Sequence, residues 1–494
     1  MSALTNELTI LWLFPLAGAA ACLLAGAFGR RAAKWCALIF GAAFFVETLA
    51  ALVPFIATRG VGLDAVGPVH LAFGISYLLA ADGLSLALIA LTGFLNLICV
   101  AASWEADVSP AYWANFLALA SALTGVFLAR DLFVFYTFWE ATLIPMFFII
   151  GLWGSSNRRH AAMKFFLFTF AGSIFMLLAL IALVVAKHEQ TGVWTWALAD
   201  LAGAPVGAAG PWIFLGLLLG FGVKIPVVPL HTWLPDAHTE APAAGSVMLA
   251  GVMLKMGLYG LIRIALPLFP VYAQTWAPWL AGLAAVNAVY GALCAMAQTD
   301  LKRLVAYSSI AHLGFCLLGI LSGAAQGVVG GGLQMINHGI TTGALFLMVG
   351  FLYERAHKRG LSDFGALAMR APWLSFFFGF AIFASIGLPG LNGFVGEFMC
   401  LSGIAHSPIP MLNVPFFVVA GIAGVTLAAA YALPAYQAVF WAPEGEGSVS
   451  GSVFDLTFRE KSILWVLCGL MLWIGLAPAG WVSILEPSLK GLIR

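Results

Sequence analysis

Charged side chains are scarce in this chain of 494 residues, because Asp, Glu, Lys and Arg together make up only 9% of it. An ordinary soluble domain carries about 25% of such residues. Hydrophobic residues make up 62% of the sequence, and its mean hydropathy is +1.01. A polytopic protein of the lipid bilayer is nearly the only interpretation left. A net charge of +1 also leaves no basic face to neutralise phosphates, so nucleic acid is not expected as a partner.

Cysteine is also sparse, with seven residues that lie in separate apolar runs and form no CxxC motif. Buried cysteines of this kind usually act as small hydrophobic side chains. A polar cluster whose spacing fits no standard metal site consists of His231, Asp236, His238 and Glu240. We expect these residues to form hydrogen bonds around a helix break. The sequence therefore predicts no metal, haem, iron–sulfur cluster or other cofactor in this chain.

Long apolar runs dominate what is present, and a membrane span needs about 20 mostly apolar residues. The predicted fold is all-α, with about 14 transmembrane helices. Their predicted ranges are 8–28, 35–57, 77–102, 111–129, 131–153, 161–186, 211–234, 243–268, 273–297, 301–322, 325–353, 372–406, 412–440 and 461–485. No stretch between them is long enough for a folded soluble domain. Any soluble chemistry coupled to this chain is therefore expected on another chain.

Lys and Arg are distributed unevenly between the two ends of the predicted spans, which indicates their orientation. With the N-terminus outside, fourteen basic residues fall on the cytoplasmic side: Arg30, Arg31, Lys34, Arg158, Arg159, Lys164, Lys302, Arg303, Arg355, Lys358, Arg359, Arg370, Arg459 and Lys461. Six fall on the other side: Arg59, Arg130, Lys187, Arg263, Lys490 and Arg494. We therefore expect a bacterial inner-membrane protein with both termini on the non-cytoplasmic side.

Two predicted spans contain helix-breaking residues in their interior. Pro226 and Pro229 interrupt the first, in KIPVVPLHTWLPDAH, and Gly387 and Pro389 interrupt the second, in ASIGLPGLNGFVGEF. Proline removes a helix donor and glycine leaves helical geometry at little cost. Unwound backbone at membrane depth is tolerated only where it is buried in protein or lines a wet cavity. Interrupted helices in matching positions of two halves therefore indicate a transport site.

The interrupted helices are the seventh and the twelfth of the predicted spans, five apart. Because five is odd, helices 4–8 and 9–13 would cross the membrane in opposite senses, as two inverted five-helix repeats. The predicted organisation is an N-terminal three-helix segment at 1–105, bundles at 106–270 and 271–440, and a C-terminal loop with helix 14 at 441–494.

Six of the titratable residues inside the predicted spans are candidates for function, because a charge at membrane depth costs from about 2.5 to more than 10 kcal/mol. They are Glu140, Lys224, Lys255, His312, His338 and Glu397. Lys, Glu and His can each gain or lose a proton, whereas Arg does not deprotonate in proteins. We therefore expect these residues to hold and pass protons. A structural ion pair, or hydrogen-bonded packing for the histidines, remains the alternative at each position.

Other charges lie near the ends of the predicted spans, where solvation is the simpler interpretation. Arg130 and Asp131 are interpreted as a surface turn between helices 4 and 5. Asp82 lies near a span end as well, and it is given no functional role.

Four stretches closely resemble the antiporter-like subunits of respiratory complex I, the proton-pumping NADH:quinone oxidoreductase. They are FWEATLIPMFFIIGLWG, KIPVVPLHTWLPDAHTEAPAAGSVMLAGVMLKMGLYGLIR, LKRLVAYSSIAHLGF and LPGLNGFVGEF. The WEATLIPMF stretch resembles the M-type pattern in particular. Glu397 supports the same subtype, because sister subunits typically carry lysine at this place.

The resemblance implies a role for each candidate residue. Glu140 and Lys224 match the ion pair of the family's first half-channel, and Lys255 matches its central lysine. The other three match the histidines and the terminal acidic residue of its hydrophilic axis. It also implies that flavin, iron–sulfur clusters and quinone belong to partner subunits, and that the neighbours include L-type and N-type antiporter-like chains. Two alternatives stay open, namely a subunit of a multisubunit Na+/H+ antiporter and a subunit of a ferredoxin- or hydrogenase-linked ion pump.

The expected mechanism couples redox energy in partner subunits to the separation of Glu140 and Lys224. At an effective dielectric constant near 20, moving opposite charges from about 4 to about 8 Å apart weakens their attraction by roughly 2 kcal/mol. Such a change helps to move a proton from Lys224 toward Lys255. Waters and the histidines would then carry it to or from Glu397.

Overall fold

The structure, a computed structural model, describes residues 6–58, 66–204, 206–445 and 448–493. Twelve helices in these ranges are long and apolar enough to cross a membrane, and a thirteenth span forms if two helices joined by a 75° bend are counted together. The remaining predicted span, 372–406, is a pair of shorter helices, Pro372–Ser385 and Asn392–Ala405. The all-α polytopic fold is therefore confirmed. Arg59, Arg494 and the first five residues, on which the orientation prediction partly depends, lie outside the described residues.

The N-terminal part contains three long helices and a short hairpin. The helices are α1 (Glu7–Ala25), α2 (Arg30–Ala57) and α3 (Gly83–Ala102), and the antiparallel strands are β1 (Val66–His70) and β2 (Ser76–Leu79). The predicted span 77–102 therefore begins too early. Asp82 caps α3 by accepting a hydrogen bond from the Ser85 amide at 3.0 Å, and β2 occupies the residues before it. We call the end of the bundle that carries this hairpin the hairpin end, and the opposite end the basic end.

The first group of five spans contains one broken helix. Its helices are α4 (Pro110–Leu128), α5 (Leu132–Ala141), α6 (Leu143–Trp153), α7 (Arg158–Thr191), α8 (Leu198–Leu201), α9 (Gly210–Lys224), α10 (Trp233–Glu240), α11 (Ala243–Met248), α12 (Leu254–Gly260) and α13 (Leu266–Leu268). Helices α5 and α6 form one span that bends at Thr142, and α9 and α10 flank the first break. Two π-helical turns, Leu249–Met253 and Leu261–Ala265, join α11 to α13 into one span.

The second group repeats this order of spans. Its helices are α14 (Pro270–Met296), α15 (Leu301–Leu321), α16 (Ala325–Ala356), α17 (Leu367–Arg370), α18 (Pro372–Ser385), α19 (Asn392–Ala405) and α20 (Pro415–Phe440). In both groups the fourth span is broken, and the odd number of spans inverts one group relative to the other. The domain boundaries drawn on this symmetry stay a prediction.

The last span is not the straight helix predicted for 461–485. Helix α21 (Phe458–Leu476) ends before Pro478, and α22 (Ala479–Leu489) leaves it at an angle, the bend being 75°. Proline at this place removes a helix donor and clashes with the preceding turn, which explains the bend.

Buried amide side chains stabilise both breaks. At the first break, Asn287 of α14 accepts a hydrogen bond from the Val228 amide at 2.8 Å and donates to the Pro226 carbonyl at 3.3 Å. At the second break, Asn392 donates to the Asn337 carbonyl at 3.2 Å, and the Asn337 side chain donates back to the Asn392 carbonyl at 2.8 Å. Polar backbone freed by unwinding is thus satisfied inside the protein, as membrane depth requires.

The most deeply buried spans form a central axis. The apolar stretches of α15, of α16 and of the span Ala243–Leu268 are 94%, 100% and 94% buried, whereas those of α2 and α20 are each 33% buried. Peripheral helices therefore face lipid or neighbouring chains. The axis helices carry Lys255, His312 and His338, far from any lipid.

The interpretation of Arg130 and Asp131 as a surface turn is wrong. Asp131 is 0% exposed, because its side chain caps α5 and also accepts a hydrogen bond from the Ser76 amide of β2 at 2.8 Å. The Arg130 side chain is 17% exposed and bonds to Tyr259 of α12 and to Asp82 and Ser85 at the start of α3. The hairpin covers this junction, and the hairpin was not predicted.

Candidate functional site

Lys224 is the last residue of α9, where the first broken helix begins to unwind. Its side chain is 1% exposed, and its Nζ has no hydrogen-bond partner among the described residues. Nζ lies instead over two aromatic rings, 5.7 Å from the centroid of Trp139 and 5.5 Å from that of Phe165. Aromatic faces attract a cation. They do not replace acceptors for the three N–H groups of an ammonium.

Glu140 lies next to Trp139 near the end of α5 and is half-buried. Its Oε1 also has no hydrogen-bond partner among the described residues. Ser173 and Lys224 are the polar side chains that act on it electrostatically. The structure therefore brings Glu140 and Lys224 into one region without hydrogen-bonding them to each other.

Lys255 lies in α12 between the two π-helical turns and is 0% exposed. Such turns occur mostly at functional sites, because they release backbone groups from the regular helical ladder. The Lys255 Nζ donates a hydrogen bond to the carbonyl of Ala250, which belongs to the first π turn. The same Nζ lies 2.7 Å from Nδ1 of His338 on α16. The central lysine is thus joined directly to the second group of spans.

The chain of contacts continues through two histidines to Glu397. The ring centroids of His338 and His312 lie 5.8 Å apart. His312 Nδ1 lies 3.0 Å from Glu397 Oε1, and His312 Nε2 lies 3.1 Å from the Ser385 hydroxyl. Both histidines and Glu397 are buried. Four of the six predicted residues therefore form one buried row, in which the two histidine rings are not hydrogen-bonded to each other.

A small polar cavity of about 10 Å³ adjoins both histidines. Its lining consists of His312, Gln334, Asn337, His338, Thr341, Thr342, Ala384, Ser385 and Gly393. This volume has room for about one water, and polar partners surround it. A water here would bridge the one gap in the row, between the two rings.

Sequence reasoning missed two residues beside this row. His238 of α10 is 0% exposed, its ring stacks on Phe346, and neither ring nitrogen has a hydrogen-bond partner among the described residues. The expectation that His238 forms hydrogen bonds around the break is therefore wrong. Lys302 and Lys255 both act on it electrostatically. Lys302 is 6% exposed and donates to the Ala241 carbonyl.

Lys302 lies in the first turn of α15, where the helix dipole disfavours a cation. This unfavourable position in the sequence could have indicated a special role for Lys302. The count of basic residues at the span ends instead placed it in solvent. A cavity of about 280 Å³ at the basic end reaches Lys302, and it is also lined by Tyr353, Glu354 and Arg359. His238 is not among the residues that line this cavity.

Two other members of the predicted polar cluster, Asp236 and Glu240, have partners outside it, whereas His231 Nδ1 has no hydrogen-bond partner among the described residues. Asp236 accepts a hydrogen bond from Lys164 at 2.6 Å, and Glu240 accepts one from the Asn157 amide at 2.8 Å. These bonds fasten the basic end of α10 to α7 and to the residue that precedes it. In the described part of the chain, no group of three or more His, Cys, Asp or Glu residues could hold a metal ion.

Comparisons with known proteins agree with this geometry. The profile of the family described as NADH:quinone oxidoreductase/Mrp antiporter, TM matches residues 129–423. NADH-quinone oxidoreductase subunit M of Rhodobacter capsulatus is 40% identical over 503 residues, which cover 99% of this chain and 96% of the relative. The corresponding subunit M of Escherichia coli K12 is 40% identical over 414 residues, with 82% of this chain and 80% of the relative covered.

Comparison with a solved structure indicates the same family. A chain of respiratory complex I from Thermus thermophilus superposes with a TM-score of 0.86 at 32% identity, covering 98% of this chain and 99% of the other. A chain of the Mrp complex from Dietzia shares the fold, with a TM-score of 0.83 at 20% identity and 99% coverage of both chains. The chain therefore belongs to the NADH:quinone oxidoreductase/Mrp antiporter family and, within it, to the M-type proton-pumping membrane subunits of NADH:quinone oxidoreductase.

Proposed function

We propose that this chain moves protons along the row Lys255–His338–His312–Glu397 and that Lys224 and Glu140 control the row. The observation that carries the proposal is the buried row of contacts from Lys255 Nζ to Glu397 Oε1, in which only the step between the two histidine rings is not a direct hydrogen bond. Each member can gain and lose a proton. A buried charge is costly unless it is paired or used.

Uptake from the basic end passes through the 280 Å³ cavity to Lys302, then to His238 and Lys255. The cavity supplies space for water next to Lys302. His238 interacts electrostatically with both lysines and also with His338, so it lies between the cavity and the row. Both of its ring nitrogens lack a competing partner among the described residues, which leaves them available to a transferred proton.

Glu140 and Lys224 provide the control point, because Lys224 Nζ and Glu140 Oε1 have no hydrogen-bond partner among the described residues, although Ser173 bonds to the Glu140 carboxylate. Helix α9 packs closely against α12, since a Cβ added to Gly257 would come within 2.8 Å of the Phe221 carbonyl. A small movement at the first break therefore changes the field at Lys255. Exposed apolar residues flank Glu140 on α5 and α6, including Phe133, Ile144 and Phe148, which are 39%, 59% and 41% exposed. This face suits a neighbouring antiporter-like membrane chain of the L-type or N-type, through which the movement would arrive.

The chain itself carries no redox step in this proposal, and flavin, iron–sulfur clusters and quinone belong to partner subunits. Among the described residues, no group of three or more His, Cys, Asp or Glu residues is placed to hold a metal ion, and the seven cysteines are free. The basic end faces the cytoplasm in a bacterial inner membrane, as the excess of Lys and Arg there indicates.

The test replaces Lys255 by Met in the whole complex, reconstituted in liposomes with a pH-sensitive dye. Met has a similar length but no titratable group, so proton translocation per NADH oxidised should fall to background while the complex still assembles. Lys490→Met, at an exposed position, is the matched control. Normal translocation in Lys255→Met contradicts the row. Translocation driven by a Na+ gradient without NADH would instead favour the antiporter alternative.

A further inference from the structure

A second cluster of charged groups lies on the same span as Lys255 but toward the hairpin end. Tyr259 and Arg263 follow Lys255 at intervals of four residues, a spacing that keeps side chains near one face of a helix. They meet Asp82 at the start of α3 and Arg130 at the end of α4. The cluster therefore lies between Lys255 and the hairpin end of the same span.

The cluster carries a net positive charge. The Asp82 carboxylate is shared by two guanidinium groups, in contact with Arg263 Nη2 and 3.5 Å from Arg130 Nη2. Both arginine side chains are only 17% exposed, so solvent screens them weakly. Because arginine does not release its proton, one positive charge remains uncompensated at every relevant pH. A proton leaving Lys255 in this direction approaches a fixed charge of the same sign.

Hydrogen bonding blocks the same route. The Tyr259 hydroxyl has a single O–H, which it donates to the Phe127 carbonyl at 2.7 Å. It accepts from Arg130 Nη1 at 2.8 Å and lies 3.1 Å from the Ser85 hydroxyl. Tyr259 therefore has neither a free proton to give nor a free acceptor to offer Lys255. On the other side of Lys255, His338 Nε2 has no partner among the described residues.

We propose that Asp82, Arg130, Tyr259 and Arg263 form a positively charged barrier that stops protons on Lys255 from escaping at the hairpin end. The proposal rests on the proposed function, since it assigns Lys255 a proton to retain. The barrier residues act by position and charge and do not exchange protons themselves. Their effect is to direct the Lys255 proton sideways to His338.

The competing interpretation is a purely mechanical clamp. Arg263 Nη1 donates to the Ser488 carbonyl at 3.1 Å, and the Leu84 amide donates to the Ser488 hydroxyl at 3.3 Å, so the cluster also holds the C-terminal helix α22. A clamp that fails lowers assembly or thermal stability. It does not change the proton permeability of the complexes that remain assembled.

The experiment measures passive proton leak through the intact complex in liposomes, without NADH, under a potassium diffusion potential set by valinomycin. Arg263→Gln leaves the cluster neutral and should raise the leak several-fold, and it should lower the pH gradient reached at an unchanged rate of NADH oxidation. Arg263→Lys keeps the positive charge, so its proton leak should stay at the unaltered level. The leak of Arg30→Gln, which removes an exposed ion pair with Asp107 at the basic end, should also stay at that level.

A double variant separates this inference from the proposed function. In Arg263→Gln/Lys255→Met the leak should return to the unaltered level, because the escaping proton comes from Lys255. An unchanged leak in assembled Arg263→Gln complexes, or a leak that persists in the double variant, overturns the barrier. Normal pumping by Lys255→Met alone would overturn the proton row instead. If Arg263→Gln fails to assemble, Arg130→Gln removes the same charge from the cluster and loses the longer of the two contacts with Asp82. The leak of that variant, alone and combined with Lys255→Met, then tests the barrier in the same way.

Discussion

The two broken helices differ in how their titratable groups are satisfied. At the first break, Lys224 Nζ and Glu140 Oε1 have no hydrogen-bond partners among the described residues, and aromatic rings surround the lysine. At the second break, Glu397 contacts His312 at 3.0 Å and Gln334 at 3.4 Å. The same architecture therefore holds one loosely committed site and one fixed network.

This difference indicates a division of labour between the halves. A buried charge without partners is sensitive to small displacements, because no short hydrogen bond holds its position or its protonation state. A fully bonded network has the opposite property, since it keeps its geometry while a proton passes through it. We infer that the first half receives the mechanical signal and that the second half conducts.

The largest expected effect comes from removing the loosely committed charge. Lys224→Ala should reduce proton translocation per NADH by about tenfold or more, because it removes the controlling charge and an electrostatic change of roughly 2 kcal/mol corresponds to such a factor. Glu140→Gln should also reduce proton translocation per NADH, because Lys224 loses the opposite charge near it. Both complexes should assemble, since neither side chain makes a hydrogen bond that the fold depends on. Translocation is measured with a pH-sensitive dye in liposomes, and assembly by native gel electrophoresis.

Two results would contradict the proposed difference between the two breaks. Normal stoichiometry in Glu140→Gln would remove the control role of the pair. Weak assembly of both variants would show that the residues are structural. Lys490→Ala, at an exposed position, serves as the control for loss of a lysine.

A smaller effect on proton translocation is expected when the charge of Glu397 is removed from the fixed network. Glu397→Gln keeps an oxygen that accepts a hydrogen bond from His312 but cannot take up a proton, so translocation should fall several-fold while thermal stability stays close to normal. Thermal inactivation and dye-based pumping on the same preparation check both parts. Glu444→Gln, at the exposed pair with Arg370, is the control. A large loss of stability in Glu397→Gln would mean that the carboxylate charge itself holds the second break together.

The sequence was sufficient to predict most of this fold, because span length and hydrophobicity act locally along the chain. Both breaks were predicted from proline and glycine. The resemblance to the antiporter-like subunits, and not the spacing of the breaks, implied that Lys255, His312, His338 and Glu397 share one axis.

What the sequence did not reveal depends on contacts between distant segments. The hairpin that buries Asp131 pairs residues near 70 with a junction near 130, and no local pattern indicated it. The π-helical turns beside Lys255 have ordinary helix-forming sequences. His238 resembles its neighbours in the polar cluster, yet only tertiary packing places it beside two lysines and removes its hydrogen bonds.

The smallest expected effect concerns the amides that hold the two breaks. Asn287→Ala leaves the Val228 amide and the Pro226 carbonyl without their side-chain partner, and Asn392→Ala removes bonds to Asn337 and Thr341. Each unsatisfied buried group costs about 1–3 kcal/mol, so both variants should inactivate at lower temperature. Asn115→Ala, which loses only a bond to its own helix, should change little.

The two variants should nevertheless differ in pumping. At the first break, a looser backbone shifts Lys224, whose position no hydrogen bond defines, so pumping should fall more than stability. At the second break, His312 and Gln334 still hold Glu397, so assembled Asn392→Ala complexes should pump almost normally. The decisive quantity is translocation per NADH in assembled complexes, compared with the temperature of half-inactivation. An equal loss of pumping in both variants would mean that the two breaks respond alike and that the first has no special sensitivity to displacement.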